Sequence, residues 1–319
     1  MLDLERAPGT TIVGMAEIVL GAMLFGTRIG EAESFALLDR FVDRGGSWID
    51  TSDNYAFWAD PSGLGGQSER VIGRWLAARP GMRSRVRIST KVGAEPTGPA
   101  RGLDAMEGLS APVIRSALAG SLARLGTDHV DMYWAHVEDR SVPLAETVGA
   151  FDALSSSVRR FGASNTPAWR VEQARGLTAG PGWTALQLRH SYVQPRPGAP
   201  LASWAHRQVS GETLDYVRTC GLDLWAYSPL INGAYGRADR PLEEAYDHPG
   251  TTRRLAALAD VARELGATRN QVVLAWLLGG DPAIWPIVGA STPDRLDEVM
   301  AARDLKLDQD LRARLDAAS

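Results

Sequence analysis

Four polar side chains of different chemistry follow short apolar runs of the sequence: a carboxylate, a phenol, an ammonium and an imidazole, at Asp50, Tyr55, Lys91 and His136. A phenol has an ordinary pKa of about 10, so it gives up a proton near neutral pH only when a nearby cation stabilises the phenolate. Lys91 could be that cation, and Asp50 could keep it charged and oriented. His136 could then fix a substrate oxygen beside the Tyr55 hydroxyl. Together the four groups make an apparatus for protonating an oxygen.

The motifs that the sequence lacks indicate which reaction such a proton donor would serve. A carbonyl oxygen takes up a proton when another group attacks the carbonyl carbon. The sequence shows no Ser-His-Asp arrangement, no Gly-x-Ser-x-Gly motif and no His-Glu-x-x-His motif that would supply a nucleophile. Hydride from a nicotinamide is therefore the natural partner, which predicts the reduction of a carbonyl compound.

Each of the four residues also has an ordinary structural explanation when it is taken alone. The carboxylate could cap a turn, the phenol could pack in a loop, the imidazole could lie in the core and the ammonium could be solvated. Two observations favour the functional interpretation: the four follow consecutive strands, and only two of the 34 basic residues are lysines, Lys91 and Lys306. A lysine kept in such an arginine-rich chain indicates a need for a compact charge with an adjustable pKa.

β-Strands must position these residues, because short β-rich runs alternate with longer amphipathic runs along the chain. Eight strands are predicted, at residues 18–20, 47–50, 86–90, 130–134, 160–163, 185–188, 222–226 and 283–288. Eight β/α units with no obvious linker predict one domain over residues 1–319, an α/β fold of the closed (β/α)8 TIM barrel type. A doubly wound open sheet is the alternative, but no Gly-x-Gly-x-x-Gly motif follows a predicted strand. In a barrel, the carboxyl ends of the strands bring the four polar residues to one axial site.

Four segments extend the predicted barrel. Residues 1–17 are predicted to form an N-terminal β-hairpin, and residues 308–317 an extra C-terminal helix. Long loops at residues 192–210 and 231–252 follow the sixth and seventh strands, on the side where a barrel carries its active-site mouth. These loops could shape a substrate rim, or they could be partly disordered insertions. The candidate substrate contacts are Trp58, Trp134, Trp204 and Tyr235.

The sequence resembles the aldo-keto reductase family over nearly the whole chain, residues 20–315. The family pattern Phe-Asp-Thr-Ala-Asp-x-Tyr is similar to Ile-Asp-Thr-Ser-Asp-Asn-Tyr at residues 49–55, and Gly-x-Ser-Glu-x-x-Ile-Gly matches residues 66–73. Thr-Lys matches residues 90–91, Asp-x-Tyr-x-x-His matches residues 131–136, and Gly-x-Ser-Asn matches residues 162–165. Further matches lie at Gln187, residues 226–230 and residues 289–298. Each motif is short, but their common order and spacing make the joint resemblance specific.

The resemblance implies a catalytic tetrad at Asp50, Tyr55, Lys91 and His136, with Tyr55 as the proton donor and a nicotinamide cofactor across the barrel mouth. The implied cofactor contacts are Met23, Asp50, Ser164, Asn165, Gln187, Tyr227, Ser228, Leu230, Gly289, Ser291, Arg295 and Glu298. By the same resemblance, Ser164, Asn165 and Gln187 would hold the carboxamide. Tyr227 would stack under the nicotinamide ring, with Ser228 and Leu230 along the pyrophosphate path.

Two features bear on which nicotinamide is used. The family favours NADP(H), and Arg295 with the N–H groups at the start of a predicted helix could receive its 2′-phosphate. The same arginine could instead belong to a solvated helix face. Some family branches place a lysine just after the eighth strand, where residues 287–290 here read Ile-Val-Gly-Ala, and many place an asparagine where Val299 stands. NADP(H) is therefore the predicted cofactor, and NAD(H) stays open.

The composition and the N-terminal sequence argue against several other classes of protein. The chain of 319 residues has a net charge of −4, which is not basic enough to indicate a nucleic-acid partner. Cys220 is its single cysteine, so no internal disulfide can form, and the five histidines include no His-x-His pair and no i, i+4 pair of a metal site. Residues 1–6 lack the pattern of a signal peptide, and Glu17 interrupts the apolar run at 12–25, which predicts a cytoplasmic protein without a membrane anchor.

The function predicted from the sequence is therefore the reduction of a small-molecule aldehyde or ketone by NAD(P)H. A nucleotide-binding regulatory or interaction module on the same barrel, with slow or vestigial reductase activity, is the alternative, since one fold can host both. A metal-dependent hydrolase on the same barrel is a more distant alternative. No pattern in the sequence indicates the oligomeric state.

Overall fold

Eight parallel β-strands form a closed barrel. The computed structural model describes residues 15–98, 104–178, 180, 182–200 and 205–318. The strands are Val19–Gly21 (β1), Trp48–Asp50 (β2), Arg87–Val92 (β3), Met132–Ala135 (β4), Phe161–Ser164 (β5), Trp183–Arg189 (β6), Asp223–Tyr227 (β7) and Ile284–Val288 (β8). Each strand pairs with the next one along the chain, and β1 closes the barrel by pairing with β8. The predicted (β/α)8 barrel is confirmed, and every strand begins and ends within two residues of its predicted bounds.

Helices separate consecutive strands. They are Glu31–Asp43 (α1), Gln67–Ala77 (α2), Ala111–Leu125 (α3), Leu144–Asp152 (α4), Ala168–Arg175 (α5), Gly211–Cys220 (α6), Pro249–Leu265 (α7), Arg269–Leu278 (α8), Pro293–Ala301 (α9) and Gln309–Asp316 (α10). The last of them, α10, is the predicted C-terminal helix. The predicted N-terminal hairpin falls mostly on residues 1–14, which lie outside the described residues. In the part of the chain that the structure describes, no helix is both long and apolar enough to cross a membrane.

Reciprocal side-chain caps fix the beginnings of two helices. At the start of α6, Ser210 Oγ accepts a hydrogen bond from the Thr213 N–H, and Thr213 Oγ1 accepts one from the Ser210 N–H. Thr268 and Gln271 form the same arrangement at the start of α8. Such caps satisfy N–H groups that have no partner inside the helix. The cap at Ser210 also marks the end of the long loop that follows β6.

The two long loops contain defined turns and backbone hydrogen bonds. Within 231–252 lie two short 3-10 turns, Ile231–Gly233 and Glu244–Tyr246, and α7 begins inside the same segment. In the loop at 192–210, where residues 201–204 lie outside the described residues, the Val209 N–H donates to the Arg189 carbonyl, which holds the loop against β6. Both loops begin just beyond the carboxyl ends of their strands, where the functional side chains are expected.

Four tryptophans fill the interior of the barrel. Trp48, Trp134, Trp225 and Trp285 are all less than 5% exposed. The Trp225 and Trp285 rings stack with their centroids 5.6 Å apart, and Trp48 and Trp134 meet the Trp225 ring edge-on at 5.1 and 5.3 Å. Because Trp48 lies two residues before Asp50 on β2, the cluster lies beneath the strand ends that carry the polar residues. The barrel is therefore a packed core and not a pore.

A glycine on β5 makes room for this tryptophan cluster, which gives a first testable prediction. A Cβ atom on Gly162 would lie 2.4 Å from the Trp134 ring and 2.9 Å from the Ala185 carbonyl oxygen. Gly162→Ala is therefore expected to lower the free energy of unfolding by about 1–3 kcal/mol, the usual cost of overpacking a core. Denaturant unfolding measures the change.

Gly149, on the exposed face of α4, is the matched control because a Cβ there meets nothing within 4 Å. Gly149→Ala is expected to raise stability by about 0.5–1 kcal/mol, since alanine favours a helix interior. If Gly162→Ala unfolds like the wild type while Gly149→Ala behaves as expected, Trp134 does not occupy the described position.

Candidate active site

Lys91 lies at the centre of the site, on β3, and is completely buried. Its Nζ donates hydrogen bonds to Asp50 Oδ2 at 2.6 Å, to the Thr51 carbonyl oxygen at 2.6 Å and to the Tyr55 hydroxyl oxygen at 3.1 Å. An ammonium group has three donors, so all are used. Burial by itself acts to lower the pKa of Lys91, but the Asp50 carboxylate and the Tyr55 oxygen outweigh it, and the pKa stands above its ordinary value. The lysine is therefore held as a cation.

Both oxygens of the Asp50 carboxylate are engaged. While Oδ2 accepts from Lys91, Oδ1 accepts from Ser89 Oγ at 2.7 Å and from Gln187 Nε2 at 3.2 Å. Ser89 is itself held by Trp134, whose indole N–H donates to Ser89 Oγ at 2.6 Å. A carboxylate that accepts this many hydrogen bonds is fixed in its orientation. Asp50 can therefore hold the lysine in one place.

Tyr55 presents its hydroxyl to Lys91 from the loop after β2. Burial raises the pKa of Tyr55, and the Lys91 ammonium opposes that rise without cancelling it. With its pKa raised, the phenol stays protonated and can act as a proton donor. The adjacent Lys91 ammonium can then stabilise the phenolate that remains. The Tyr55 ring meets the His136 and Trp58 rings edge-on, with centroids 5.8 and 6.4 Å away.

His136 follows β4 and faces Tyr55 across the barrel mouth. Its Nδ1 lies 3.2 Å from Ser52 Oγ, and its carbonyl oxygen accepts a hydrogen bond from Asn165 Nδ2 at 3.2 Å. Burial and then the Lys91 charge hold the pKa of His136 well below its ordinary value, so the imidazole is neutral. A neutral imidazole has one N–H and can donate one hydrogen bond to a substrate oxygen.

The ends of β5, β6 and β7 bring a second group of polar side chains beside the tetrad. Asn165 donates to Ser164 Oγ at 3.1 Å and accepts from the Tyr227 hydroxyl at 2.8 Å. Gln187 pairs with Ser164 across the sheet and connects this group to Asp50. Asn165 adopts a left-handed backbone with φ of 51°, which asparagine tolerates better than most residues. These amide and hydroxyl groups provide donors and acceptors suited to a carboxamide.

A third group lies at the start of α9, on the surface. The Arg295 guanidinium donates to Ser291 Oγ at 2.9 Å, and both residues are exposed. The Glu298 side chain is occupied by α8, because its Oε1 accepts from Thr268 Oγ1 at 2.7 Å and from Asn270 Nδ2 at 3.2 Å. The structure thus brings Arg295 and Ser291 together, whereas Glu298 serves a contact between helices.

The remaining residues with an implied cofactor role all follow barrel strands. Met23 comes after β1 and is 41% exposed. Ser228 and Leu230 come directly after β7, with Ser228 in a left-handed backbone conformation at φ of 55°. Gly289 is exposed at the end of β8. These residues lie around the same mouth of the barrel as the tetrad.

Comparison with known proteins identifies the family of this chain. The model of the Aldo/keto reductase family matches residues 17–319. The chain belongs to this family. The uncharacterized oxidoreductase YrpG of Bacillus subtilis (strain 168) is 31% identical over 313 residues, which cover 95% of this chain and 92% of YrpG. The norsolorinic acid reductase stcV of Emericella nidulans is 29% identical, over 92% of this chain and 76% of its own length.

A solved structure shares the fold of this aldo/keto reductase. The crystal structure of the thermostable aldo-keto reductase Tm1743 superposes with a TM-score of 0.73. The match covers 95% of this chain and 94% of the other at 24% sequence identity. At that sequence identity, the similarity shows a shared barrel fold only.

The candidate substrate contacts of this aldo/keto reductase divide into three cases. Trp58 is 45% exposed and lies beside the Tyr55 ring, so it remains a candidate. Trp134 and Tyr235 are buried, which corrects the expectation that they contact a substrate. Trp134 supports Ser89 from inside the barrel, and the Tyr235 hydroxyl lies 2.7 Å from Ser191 Oγ and accepts from the Val193 N–H. Trp204 lies outside the described residues.

Two serines that contact the tetrad of this aldo/keto reductase were not predicted from the sequence. Ser89 lies two residues before Lys91 on β3, so the strand period of two places both side chains on the same face, and this signal could have identified it. Ser52 contacts His136 and stands where the quoted family motif has alanine, so that difference could have drawn attention to it. Among the described residues, no group of three or more His, Cys, Asp or Glu side chains could hold a metal ion.

Proposed function

We propose that this aldo/keto reductase reduces the carbonyl group of a small aldehyde or ketone with a reduced nicotinamide cofactor, and that Tyr55 donates the proton. The observation that carries the proposal is the fully buried Lys91, which joins the Asp50 carboxylate to the Tyr55 hydroxyl. Burying an ion pair is costly, so a pair that also contacts a phenol at the mouth of a barrel indicates chemistry at that phenol.

Each side chain of the tetrad has a part in moving one proton. Tyr55 transfers its hydroxyl proton to the substrate oxygen, and the phenolate that forms stays beside the Lys91 ammonium. Asp50 keeps Lys91 charged during the transfer. His136 orients the substrate oxygen by donating a hydrogen bond to it.

The residues present fit a nicotinamide cofactor. When bound, it supplies hydride to the carbonyl carbon. Ser164, Asn165 and Gln187 offer amide and hydroxyl groups that would hold the carboxamide, and they lie next to Asp50. Tyr227 would lie under the ring. Reduction by a nicotinamide and a single cysteine are both compatible with the cytoplasm, which we propose as the compartment.

NADP(H) is the cofactor that we propose, because Arg295 is exposed beside Ser291 at the N-terminus of α9. A guanidinium and a helix N-terminus together favour a phosphate group. Arg295→Ala is expected to weaken NADPH binding by about 1–3 kcal/mol and NADH binding much less, since only NADPH carries a 2′-phosphate. Fluorescence titration with each cofactor measures the difference.

Arg314→Ala is the control for this measurement, because it removes the same charge from α10, where Arg314 pairs with Glu264. It should leave both affinities unchanged. Equal weakening of NADPH and NADH by Arg295→Ala, or no weakening of either, would count against the 2′-phosphate contact.

Turnover with a panel of carbonyl compounds tests the proposed function itself. Aryl aldehydes belong in the panel, because Trp58 offers an exposed aromatic surface beside Tyr55, and because relatives include proteins named norsolorinic acid reductase and aryl-alcohol dehydrogenase. Oxidation of NADPH that depends on the carbonyl compound supports the proposal. Tight cofactor binding without turnover of any compound would favour a regulatory module.

A further inference from the structure

The side chain of Asn165, directly after β5, is fixed by four hydrogen bonds. Its Nδ2 donates to the His136 carbonyl oxygen at 3.2 Å and to Ser164 Oγ at 3.1 Å. Its Oδ1 accepts from the Tyr227 hydroxyl at 2.8 Å and from the Arg207 N–H at 3.1 Å. A primary amide has two hydrogens and an oxygen with two lone pairs, so every hydrogen-bonding position of this side chain is occupied.

The backbone of Asn165 needs support as well. Its φ of 51° lies in the left-handed region, which is unfavourable for residues other than glycine. The residue is 6% exposed, and a buried backbone carbonyl is costly without a hydrogen-bond donor. The donor here is the Arg207 guanidinium, whose Nε lies 2.9 Å from the Asn165 carbonyl oxygen. Arg207 therefore binds Asn165 twice, through its N–H to the side chain and through its guanidinium to the main chain.

Glu138 holds the guanidinium of Arg207 in place. Arg207 Nη2 donates to Glu138 Oε2 at 2.9 Å, while Nε faces Asn165. The Glu138 side chain, in the loop after β4, is 7% exposed. Its other oxygen pairs with two more arginines, with Arg140 Nε at 2.8 Å and with Arg170 Nε at 3.1 Å. The fork of the Arg207 guanidinium thus connects the loop after β4 to the end of β5.

The loop that carries Arg207 is anchored to β6 independently of this guanidinium. The Arg189 N–H donates to the Arg207 carbonyl oxygen at 2.9 Å, and the Val209 N–H donates to the Arg189 carbonyl oxygen at 3.0 Å. These bonds join main-chain atoms only. Removing the guanidinium therefore releases the Asn165 carbonyl without detaching the loop, and Glu138 keeps its other two arginines.

We propose that Arg207 is a positioning residue that holds Asn165 in its left-handed conformation and so sets the affinity for the nicotinamide end of the cofactor. Without the guanidinium, the Asn165 carbonyl lacks its donor, and the backbone can relax from this conformation. That relaxation turns the amide away from Ser164 and Tyr227. The effect on affinity rests on the proposed function, in which Asn165 and Ser164 hold the carboxamide, whereas the position of the amide does not.

Calorimetric titration with two ligands tests the effect on affinity, because only one of them carries a nicotinamide. Arg207→Ala is expected to weaken NADPH binding about tenfold, the scale of one charge-assisted hydrogen bond. Adenosine 2′,5′-bisphosphate, which has the adenosine end alone, should bind the variant as tightly as the wild type. A general loss of structure would weaken both ligands, so their difference identifies a positioning role. NADH should weaken by the same factor as NADPH, in contrast to Arg295→Ala.

Hydrogen exchange of the Asn165 side-chain amide measures its position without cofactor. The two NH₂ signals in the ¹⁵N NMR spectrum are identified as those that disappear in Asn165→Asp. In the wild type both hydrogens are bonded, to His136 and to Ser164. In Arg207→Ala they are expected to exchange with solvent at least about tenfold faster, because the amide leaves its partners.

A double-mutant cycle checks that Arg207 acts through the Asn165 side chain. Asn165→Gly removes the amide, and glycine adopts a φ of 51° without strain. In that background, Arg207→Ala should change NADPH affinity less than about twofold, since the group that it positions is already absent. If Arg207→Ala does not fold, Arg207→Lys replaces it in every measurement, because lysine keeps the charge beside Glu138 but lacks the fork.

Arg140→Ala is the matched control, because Arg140 binds the same Glu138 carboxylate from the exposed side. It should leave amide exchange and both affinities unchanged. Equal weakening of NADPH and adenosine 2′,5′-bisphosphate by Arg207→Ala, unchanged NADPH affinity or unchanged amide exchange would overturn the proposal. So would the same loss in Arg140→Ala, or a full tenfold effect in the Asn165→Gly background. Faster amide exchange in Arg207→Ala, with no binding of NADPH or NADH by the wild type, would support the positioning of Asn165 and reject the proposed function.

Discussion

Tyr55→Phe is expected to keep the fold and the cofactor affinity but to lose at least about a hundredfold in kcat, the lower range for loss of a general acid. The variant removes one hydroxyl, 3.1 Å from Lys91 Nζ, and keeps the ring that meets His136 and Trp58. We expect no other side chain of the tetrad to replace the proposed donor, because Asp50 holds Lys91 as a cation and the single N–H of the neutral His136 is needed for orientation. Steady-state kinetics and a cofactor titration measure the two quantities separately.

Tyr216→Phe is the matched control for this substitution. Tyr216 lies on α6 at the outside of the barrel, where its hydroxyl donates to Glu172 at 2.8 Å. Its loss should leave kcat unchanged. Near wild-type turnover in Tyr55→Phe would show that another group donates the proton, and a loss of cofactor affinity in the same variant would point to a binding role.

Lys91→Arg is expected to lower kcat at least about tenfold and to reduce the free energy of unfolding by about 1–3 kcal/mol. The positive charge is kept, so a simple electrostatic role would make the change mild. The three acceptors around Nζ, however, belong to Asp50, Thr51 and Tyr55 and surround a compact ammonium in a completely buried position. A guanidinium is larger and planar, with donors in a fixed fork, and cannot meet all three in that space.

Lys306→Arg is the natural control, because it makes the same substitution at the only other lysine of the chain, an exposed one. It should leave stability and kcat unchanged. Denaturant unfolding and steady-state kinetics test both variants. A Lys91→Arg protein with wild-type stability and turnover would remove the requirement for a compact charge at this position.

The position of the tetrad could be predicted from the sequence for a geometric reason. Each tetrad residue follows a β-rich run, and a closed parallel barrel brings all strand ends together whatever the lengths of the connections. Period-two patterning also identifies which residues face inward. Ser164 and Gln187, which were assigned from the family resemblance, face each other on β5 and β6 beside the tetrad.

Depth inside the barrel could not be predicted in the same way. Trp134 points inward as its position on β4 requires, but it lies below the polar layer and supports Ser89. Tyr235 is in a loop near the mouth and still turns its hydroxyl into the core, towards Ser191. Both side-chain positions depend on how residues from distant segments pack together in the core. No local sequence pattern indicates that packing. The contact of Ser52 with His136 was missed because Ser52 lies in the loop after β2, where the strand period of two no longer indicates the direction of a side chain.

The complete burial of Lys91 makes the protein an unusually simple subject for covalent labelling. Apart from the α-amino group, the chain has two primary amines, and Lys306 is exposed while Lys91 is not. An amine-acylating reagent therefore reacts with Lys306 in the folded state but reaches Lys91 only when the barrel opens around it. The ratio of the two labelling rates, read from two peptides by mass spectrometry, measures that opening equilibrium at the buried lysine. The other 32 of the 34 basic residues are arginines, so no further side-chain amine competes for the reagent.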